Sequence, residues 1–322
     1  MDRPRKTVDR LLTIAMVGGL VVIVGLFGLI SLYLGMVNKA VSQVHRTSVL
    51  PNYEGRPAPA EAPSSPAINY LVLATDDDGG LSSAIVMHLS AGRDSLHLIG
   101  IPSNLLLEIP GMPTQTLAQA YATHADVSLM AIEEILQARM DHRLELKLTQ
   151  FVALSEVVGG VQVINRRETA AEGHHWPEGE VRIAGDAAVA YVESPPDAVD
   201  RLERSQAVLR ELLRMLTDGR LLTTPATLAT VTRVLNECLV VDAALTPSTM
   251  RTTAMELRLT KEHIDTVVLP LQGRGEWRGR AVTLLDQVAV EELSMALMDD
   301  LMSSYVATHA PRWADLITLP PR

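Results

Sequence analysis

Asn69-Tyr70-Leu71-Val72-Leu73-Ala74-Thr75-Asp76 is a short apolar run that stops on a carboxylate, and Asp77-Asp78-Gly79-Gly80 follows it. A run of that length, closed by Asp and Gly, predicts a strand and a turn. Downstream, Ala84 to Leu89 and Leu96 to Ile101 have the same strand character, separated by the turn Ala91-Gly92-Arg93-Asp94. Leu105 to Ile109 predicts a fourth strand, closed by Pro110-Gly111.

The period then changes. Val127, Met130, Ala131, Ile135 and Leu136 recur at helical spacing within 126–140. Thr149 to Val158 predicts a second helix, stopped by Gly159-Gly160, and Val161 to Ile164 a strand. Asp186 to Val192 predicts a short helix, and Leu202 to Leu216 a long amphipathic one with Leu202, Leu209, Leu212, Leu213 and Leu216 on one side. Helix and strand signals alternate onward to about Met302, with no internal repeat. Such mixing predicts an α/β domain of two or three layers.

Upstream of the first strand, Pro51, Pro57, Pro59, Pro63 and Pro66 among Ala, Ser and Glu predict an extended linker. Before it, Leu11 to Val37 contain no charged side chain. As a helix this stretch spans about 40 Å, more than the roughly 30 Å of bilayer hydrocarbon. It is too long for the apolar region of a cleaved signal peptide. Arg3, Arg5, Lys6 and Arg10 precede it and only Lys39 and Arg46 follow closely. The positive-inside bias puts the N-terminus in the cytoplasm and the rest outside it. The expected organisation is a cytoplasmic tail (1–10), a transmembrane helix (11–37), a juxtamembrane and Pro-rich linker (38–67), a core domain (68–218), a C-terminal α/β part of the same domain (219–305) and a tail (306–322).

Composition narrows the partners. The 322-residue chain carries a formal net charge of −10 and no long basic run. That argues against nucleic acid and against docking on anionic lipid by charge. Hydrophobic residues make up 47% and aromatics only 3%, so the core is aliphatic. The single cysteine, Cys238, allows no intramolecular disulfide, and with Leu228, Val231, Leu235 and Leu239 around it reads as a buried thiol.

Six segments in order and at consistent spacing resemble the LytR-CpsA-Psr family, the cell envelope-related transcriptional attenuator domain. Asn69 to Asp76 is similar to its opening strand and GxD turn. Ile101 to Gly111 is similar to its IPRDxxxxIPG, and Gln119-Ala120-Tyr121 falls at its INxAY. Val157 to Val163 is similar to xLGGVxV, Ile183 to Val192 to LxGxxALxYVR, and Arg201 to Gln206 to GRxxRQQ. The resemblance implies an α/β/α domain with a central mixed sheet. It implies an extracytoplasmic phosphotransferase that moves a glycopolymer from a polyprenyl-pyrophosphate carrier to the cell wall. The lipid tail is expected in an apolar tunnel, arginines on the pyrophosphate, and aspartates on a magnesium-like ion.

Carried over residue by residue, the site is incomplete. Asp76 takes the first metal-ligand position, and the resemblance makes it catalytic together with Arg201. Arg204, Gln206, Ser83, Ser103 and Asn104 fall at binding positions. The RSD segment is Leu81-Ser82-Ser83, without its arginine and aspartate. The PRD arginine and aspartate are Ser103 and Asn104. The arginine after Tyr191-Val192 is Glu193, a reversed charge, and the next is Pro195. A diphosphate site needs guanidinium groups in bidentate geometry, and each lost contact at a transferring phosphoryl group costs several kcal/mol.

The expectation is therefore a degenerate member that holds lipid or phosphoglycan without turnover. An active enzyme with a rearranged site stays open, with Arg93, Arg139 and Arg182 as arginines that would have to converge on Arg201. So does a non-catalytic envelope scaffold paired with an active paralogue. Elsewhere, Asp77 and Asp78 read as a solvated turn, His174-His175 as a loop without a third metal ligand, and Glu133-Glu134 and Arg166-Arg167 as solvated surface. Gly80-Leu81-Ser82-Ser83 lacks the nucleophile elbow of a serine hydrolase.

Overall fold

The computed structural model describes residue 42 and residues 44–59, 66–109, 111–217 and 225–316. The predicted membrane helix at 11–37 lies outside the described residues. Among the described residues no helix is long and apolar enough to cross a membrane. The chain divides into two compact units, Met1–Gln43 and Val44–Arg322. The second is the folded domain.

Its centre is a seven-stranded mixed sheet. From one edge the strands run His45–Arg46, Leu239–Val241, His142–Lys147, Ile68–Thr75, Leu81–Leu89, Leu96–Pro102 and Ile264–Val268. Ile68–Thr75 is antiparallel to Leu81–Leu89 and parallel to His142–Lys147. Successive side chains of that strand enter different cores: Leu71 and Leu73 one, Val72 and Ala74 the other. Both faces are covered by helices, which is why the run is apolar throughout rather than alternating.

On the first face lie the short helices Leu148–Val152 and Leu154–Val157 with Gly185–Glu193, Ala198–Thr217 and Pro225–Cys238, through Phe151, Leu154, Ala188, Leu202, Leu209, Leu212 and Val231. On the second lie Leu117–Thr123, Ala125–Leu136, Gln287–Met298 and Met302–Leu316, through Leu117, Leu129, Ile132, Leu293 and Tyr305. The layering is α/β/α, as expected. The helix Leu117–Thr123 starts at a capping box in which Thr116 and Gln119 satisfy each other's backbone N–H.

Several local expectations need correction. The predicted strand 105–109 pairs in two short pieces: Leu105 bridges Thr283, and Leu106–Leu107 pairs with Gln115–Thr116. The predicted helix 149–158 is two short helices meeting at Ala153. His174-His175 is not a loop but part of a hairpin strand, His174–Trp176, paired with Thr169–Ala171. Its turn is Glu172 (φ 52°) and Gly173 (φ 80°), the two positive-φ positions of a type I′ hairpin. Glu133 is not surface. It is fully buried and ion-paired with Arg56, so part of the segment read as a free linker packs on the domain.

Candidate functional site

The site assembles at one end of the central strands. Asp76 ends the strand Ile68–Thr75, and the turn back to Leu81 is closed by its own side chain. The Gly80 N–H donates to Asp76 Oδ1 at 2.7 Å, and the Asp76 N–H to the Gly80 carbonyl at 2.9 Å. A Cβ on Gly80 would lie 2.9 Å from Asp76 Oδ2, so this turn needs glycine there. Asp77 is not merely solvated, because the Thr149 hydroxyl donates to its carboxylate at 2.5 Å.

Ser83 sits in the neighbouring strand, opposite Ala74 and Pro102, with its hydroxyl buried and without a hydrogen-bond partner. Ser103 follows the next strand and is buried; its carbonyl accepts the N–H of Ala118. Asn104 turns away. Its carbonyl and its side-chain oxygen both accept from Thr283, at 3.1 and 2.5 Å, which anchors the hairpin formed by Leu271–Trp277 and Arg280–Leu285.

The cationic half of the expected site is spent on structure. Arg201 donates through Nη1 to the carbonyls of Pro195 (3.0 Å) and Pro196 (3.3 Å). Arg204 donates to the Tyr191 carbonyl (2.8 Å), the Ser194 hydroxyl (3.0 Å) and the Thr169 hydroxyl (3.2 Å). Its guanidinium also stacks over the Tyr191 ring at 4.3 Å, a cation–π contact. Gln206 lies inside the fold, donating to the carbonyls of Leu98 and Val267 at 3.0 Å each.

Arg93, Arg139 and Arg182 are held elsewhere. Arg93 binds the Pro66 and Ser90 carbonyls, Arg139 the Pro57 carbonyl and Arg182 the Gly159 carbonyl.

Glu193, at the end of the helix Gly185–Glu193, shows the sign of the field. Burial raises its carboxyl pKa, and Asp77, Glu172 and Asp76 raise it further, while Arg201 alone among its charged neighbours lowers it. Asp76, Asp77, Glu193 and Arg201 therefore share one electrostatic neighbourhood with an excess of carboxylates.

One cation was not anticipated. Arg274, from the hairpin strand Leu271–Trp277, pairs with Asp197 at 3.1 Å, next to the two prolines that Arg201 holds. The only signal for it was an arginine in a polar Gly273-Arg274-Gly275 strand, which by itself reads as surface.

Among the described residues no three His, Cys, Asp or Glu side chains converge into a protein-built metal cage. Magnesium commonly takes only one or two protein carboxylates and keeps water or substrate phosphate on its other positions. Asp76, whose Oδ1 already accepts the Gly80 N–H, is the carboxylate that the resemblance assigns to such a position.

The LytR_cpsA_psr family model matches residues 64–299. The polyisoprenyl-teichoic acid–peptidoglycan teichoic acid transferase TagU of Bacillus mycoides is 27% identical over 188 residues, covering 55% of this chain and 62% of that protein. The cell wall biosynthesis protein LcpA of Corynebacterium glutamicum is 26% identical over 161 residues, 48% of this chain and 31% of LcpA. The chain thus spans less than two thirds of the length of these relatives.

Among solved structures, B. subtilis TagV superposes with a TM-score of 0.60 at 17% identity, over 74% of this chain and 98% of TagV. TagT bound to LI-WTA gives 0.60 at 17%, over 79% and 99%. At that identity the superpositions speak for the fold. Together with the match over residues 64–299, they place this chain in the LytR_cpsA_psr family.

Proposed function

We propose that this protein acts in cell-envelope biogenesis as a family member that binds lipid or phosphoglycan without turnover. It would be anchored by residues 11–37, with the domain on the outer side of the cytoplasmic membrane. One observation carries the loss of turnover: Arg201 and Arg204 spend their guanidinium groups on backbone carbonyls, while Glu193 stands among carboxylates. Such a site repels a diphosphate more than it grips one.

The apolar face supports lipid binding. Tyr70, Met87, Leu144, Leu213, Leu235 and Leu239 border the first core but stay half-buried, and they are the apolar side chains that a polyprenyl tail would contact. TagU relatives are named for polyisoprenyl-teichoic acid, which supports a ligand of that class. Magnesium, held by Asp76 beside the ligand's phosphates, would offset part of the negative charge on the diphosphate.

Arg274 favours a second reading, an active enzyme with a rearranged site, because it brings another guanidinium to the Asp197 segment beside Arg201. The third reading is a scaffold paired with an active paralogue.

The deciding experiment uses detergent-solubilised full chain. Mass spectrometry of the purified protein is expected to find a polyprenyl lipid. Incubation with polyprenyl-diphosphate-linked glycan and magnesium is expected to release no lipid phosphate. Turnover that is lost in Arg201→Ala or Arg274→Ala would establish the enzyme instead, and a protein free of lipid would favour the scaffold.

A further inference from the structure

On the face of the sheet opposite the helix that carries Arg201, a groove of about 930 Å³ opens between four elements. They are the end of the helix Ala125–Leu136, the helix Gln287–Met298, the strand Arg280–Leu285 and the segment Leu106–Ile109. Its floor reaches the second core through Leu107 and Val290, both buried, and through Ile135 and Leu285, both half-buried.

Its lip is unusual for a solvated helix. Val288 is 80% exposed and Met295 and Met298 are each 54% exposed. Spacings of seven and three residues put these side chains on one side of the helix. Contiguous apolar surface of this kind marks a docking site more often than an accident of folding. Methionine, unbranched and polarisable, adapts to an incoming apolar side chain.

The charge around the groove selects the occupant. Glu108, Glu134, Asp286 and Glu291 line it, and none of the described lining residues is Lys, Arg or His. An anionic lipid or a phosphoglycan would be repelled. An uncharged acyl chain would leave those carboxylates at a desolvated mouth with no partner. A second copy in a two-fold contact would set carboxylates against carboxylates.

A cationic amphipathic segment satisfies both features, with apolar side chains on the floor and Lys or Arg on the rim. We propose that this groove docks a basic amphipathic helix of a partner protein. Its contacts lie in the opposite layer from Arg201 and Glu193, so the inference does not depend on whether the site there turns over substrate.

The test measures binding of fluorescent peptides to the detergent-solubilised full chain. One peptide carries Leu at helical spacing with Lys on the other face; its counterpart replaces every Lys with Glu. The Lys peptide is expected to bind and the Glu peptide not. Glu134→Lys with Glu291→Lys should weaken binding at least ~10-fold, and Val288→Lys should abolish it. Glu168→Lys with Glu180→Lys, a charge change of equal size on the exposed hairpin side, should leave it unchanged.

Equal weakening by that control pair would reduce the effect to diffuse charge and overturn the proposal. So would equal affinity for the two peptides, or a Val288→Lys variant that binds as well as the parent. A dimer by sedimentation that Val288→Lys dissolves would assign the groove to a second copy.

Discussion

Arg56 and Glu133, 77 positions apart in the chain, form an ion pair closed off from water. Arg56 Nε and Nη2 both reach the carboxylate, at 3.0 Å, while the Tyr53 hydroxyl (2.6 Å) and the Met140 N–H (2.8 Å) donate to the same group. The fold thus fastens the segment before its first central strand to the helix Ala125–Leu136. A buried charge deprived of its partner costs several kcal/mol, because desolvation remains when the attraction is gone. Arg56→Ala is therefore expected to lower stability by about 3 kcal/mol, read as a shift in the urea midpoint at constant slope. Arg56→Met with Glu133→Leu should recover only part of that loss, because the Tyr53 hydroxyl and the Met140 N–H lose their acceptor. A single-mutant loss below about 0.5 kcal/mol would mean that water reaches Glu133.

Gly100 and Gln206 form a second joint. A Cβ on Gly100 would lie 2.6 Å from the Gln206 amide, which ties the Leu98 and Val267 carbonyls together across two strands. The missing side chain lets the helix Ala198–Thr217 press on the sheet. Gly100→Ala should destabilise by about 1–3 kcal/mol through overpacking. Gln206→Ala removes the obstruction but leaves two carbonyls short of a donor. The double variant should be more stable than the sum of the single losses, a coupling of about 1 kcal/mol or more. Additive losses in thermal unfolding would show that the amide moves aside freely.

The layers of the fold were legible because the central strands and the long helix carry strong apolar patterns. Leu71-Val72-Leu73-Ala74 can only be buried, and Leu202, Leu209 and Leu212 share one helical face. The strand His142–Lys147 was not legible. His142, Arg143, Glu145 and Lys147 break its apolar pattern, and Arg143 is tolerated in the interior because Asp126, from the helix Ala125–Leu136, and Glu145, from its own strand, neutralise it. Glu133 was misread for the same reason, since its partner comes from a Pro-rich segment with no pattern of its own. At the site, the replaced arginines were visible by position. Which carbonyls Arg201 and Arg204 would bind, and the approach of Arg274 to Asp197, depend on tertiary contacts that spacing does not encode.

His97 predicts an acid sensitivity. Its ring is 1% exposed on the strand Leu96–Pro102 and bonds Ser303 at 3.1 Å. Burial pushes its pKa down to about 4, with nearby His88 adding to the effect and Asp265 and Asp300 opposing it. The folded state therefore holds His97 neutral, whereas the unfolded chain protonates near pH 6.5. This contribution is fully present above about pH 6.5 and is lost progressively as pH falls towards the folded value of about 4. It amounts to at most about 3 kcal/mol. Urea midpoints of the parent should fall across that window, and His97→Gln should flatten the fall. A slope unchanged in His97→Gln would place the sensitivity elsewhere.

Glu193→Arg tests the electrostatic reading by reversing it. The parent carboxyl faces Asp76, Asp77 and Glu172 with Arg201 as its cationic neighbour, so its charge adds to a field that opposes a diphosphate. An arginine there would pair with those carboxylates and offer a guanidinium to an incoming phosphate. Affinity for a short-chain prenyl diphosphate, measured by calorimetry with magnesium present, should rise at least ~10-fold, about 1.4 kcal/mol. Glu193→Gln, which removes the repulsion but adds only an uncharged amide donor, should fall between parent and Arg variant. The gain should shrink as salt rises, because part of it acts through solvent at the rim of the site. If the parent already binds the diphosphate as tightly as Glu193→Arg does, the surrounding carboxylates do not repel it, and the case for a site without turnover fails with them.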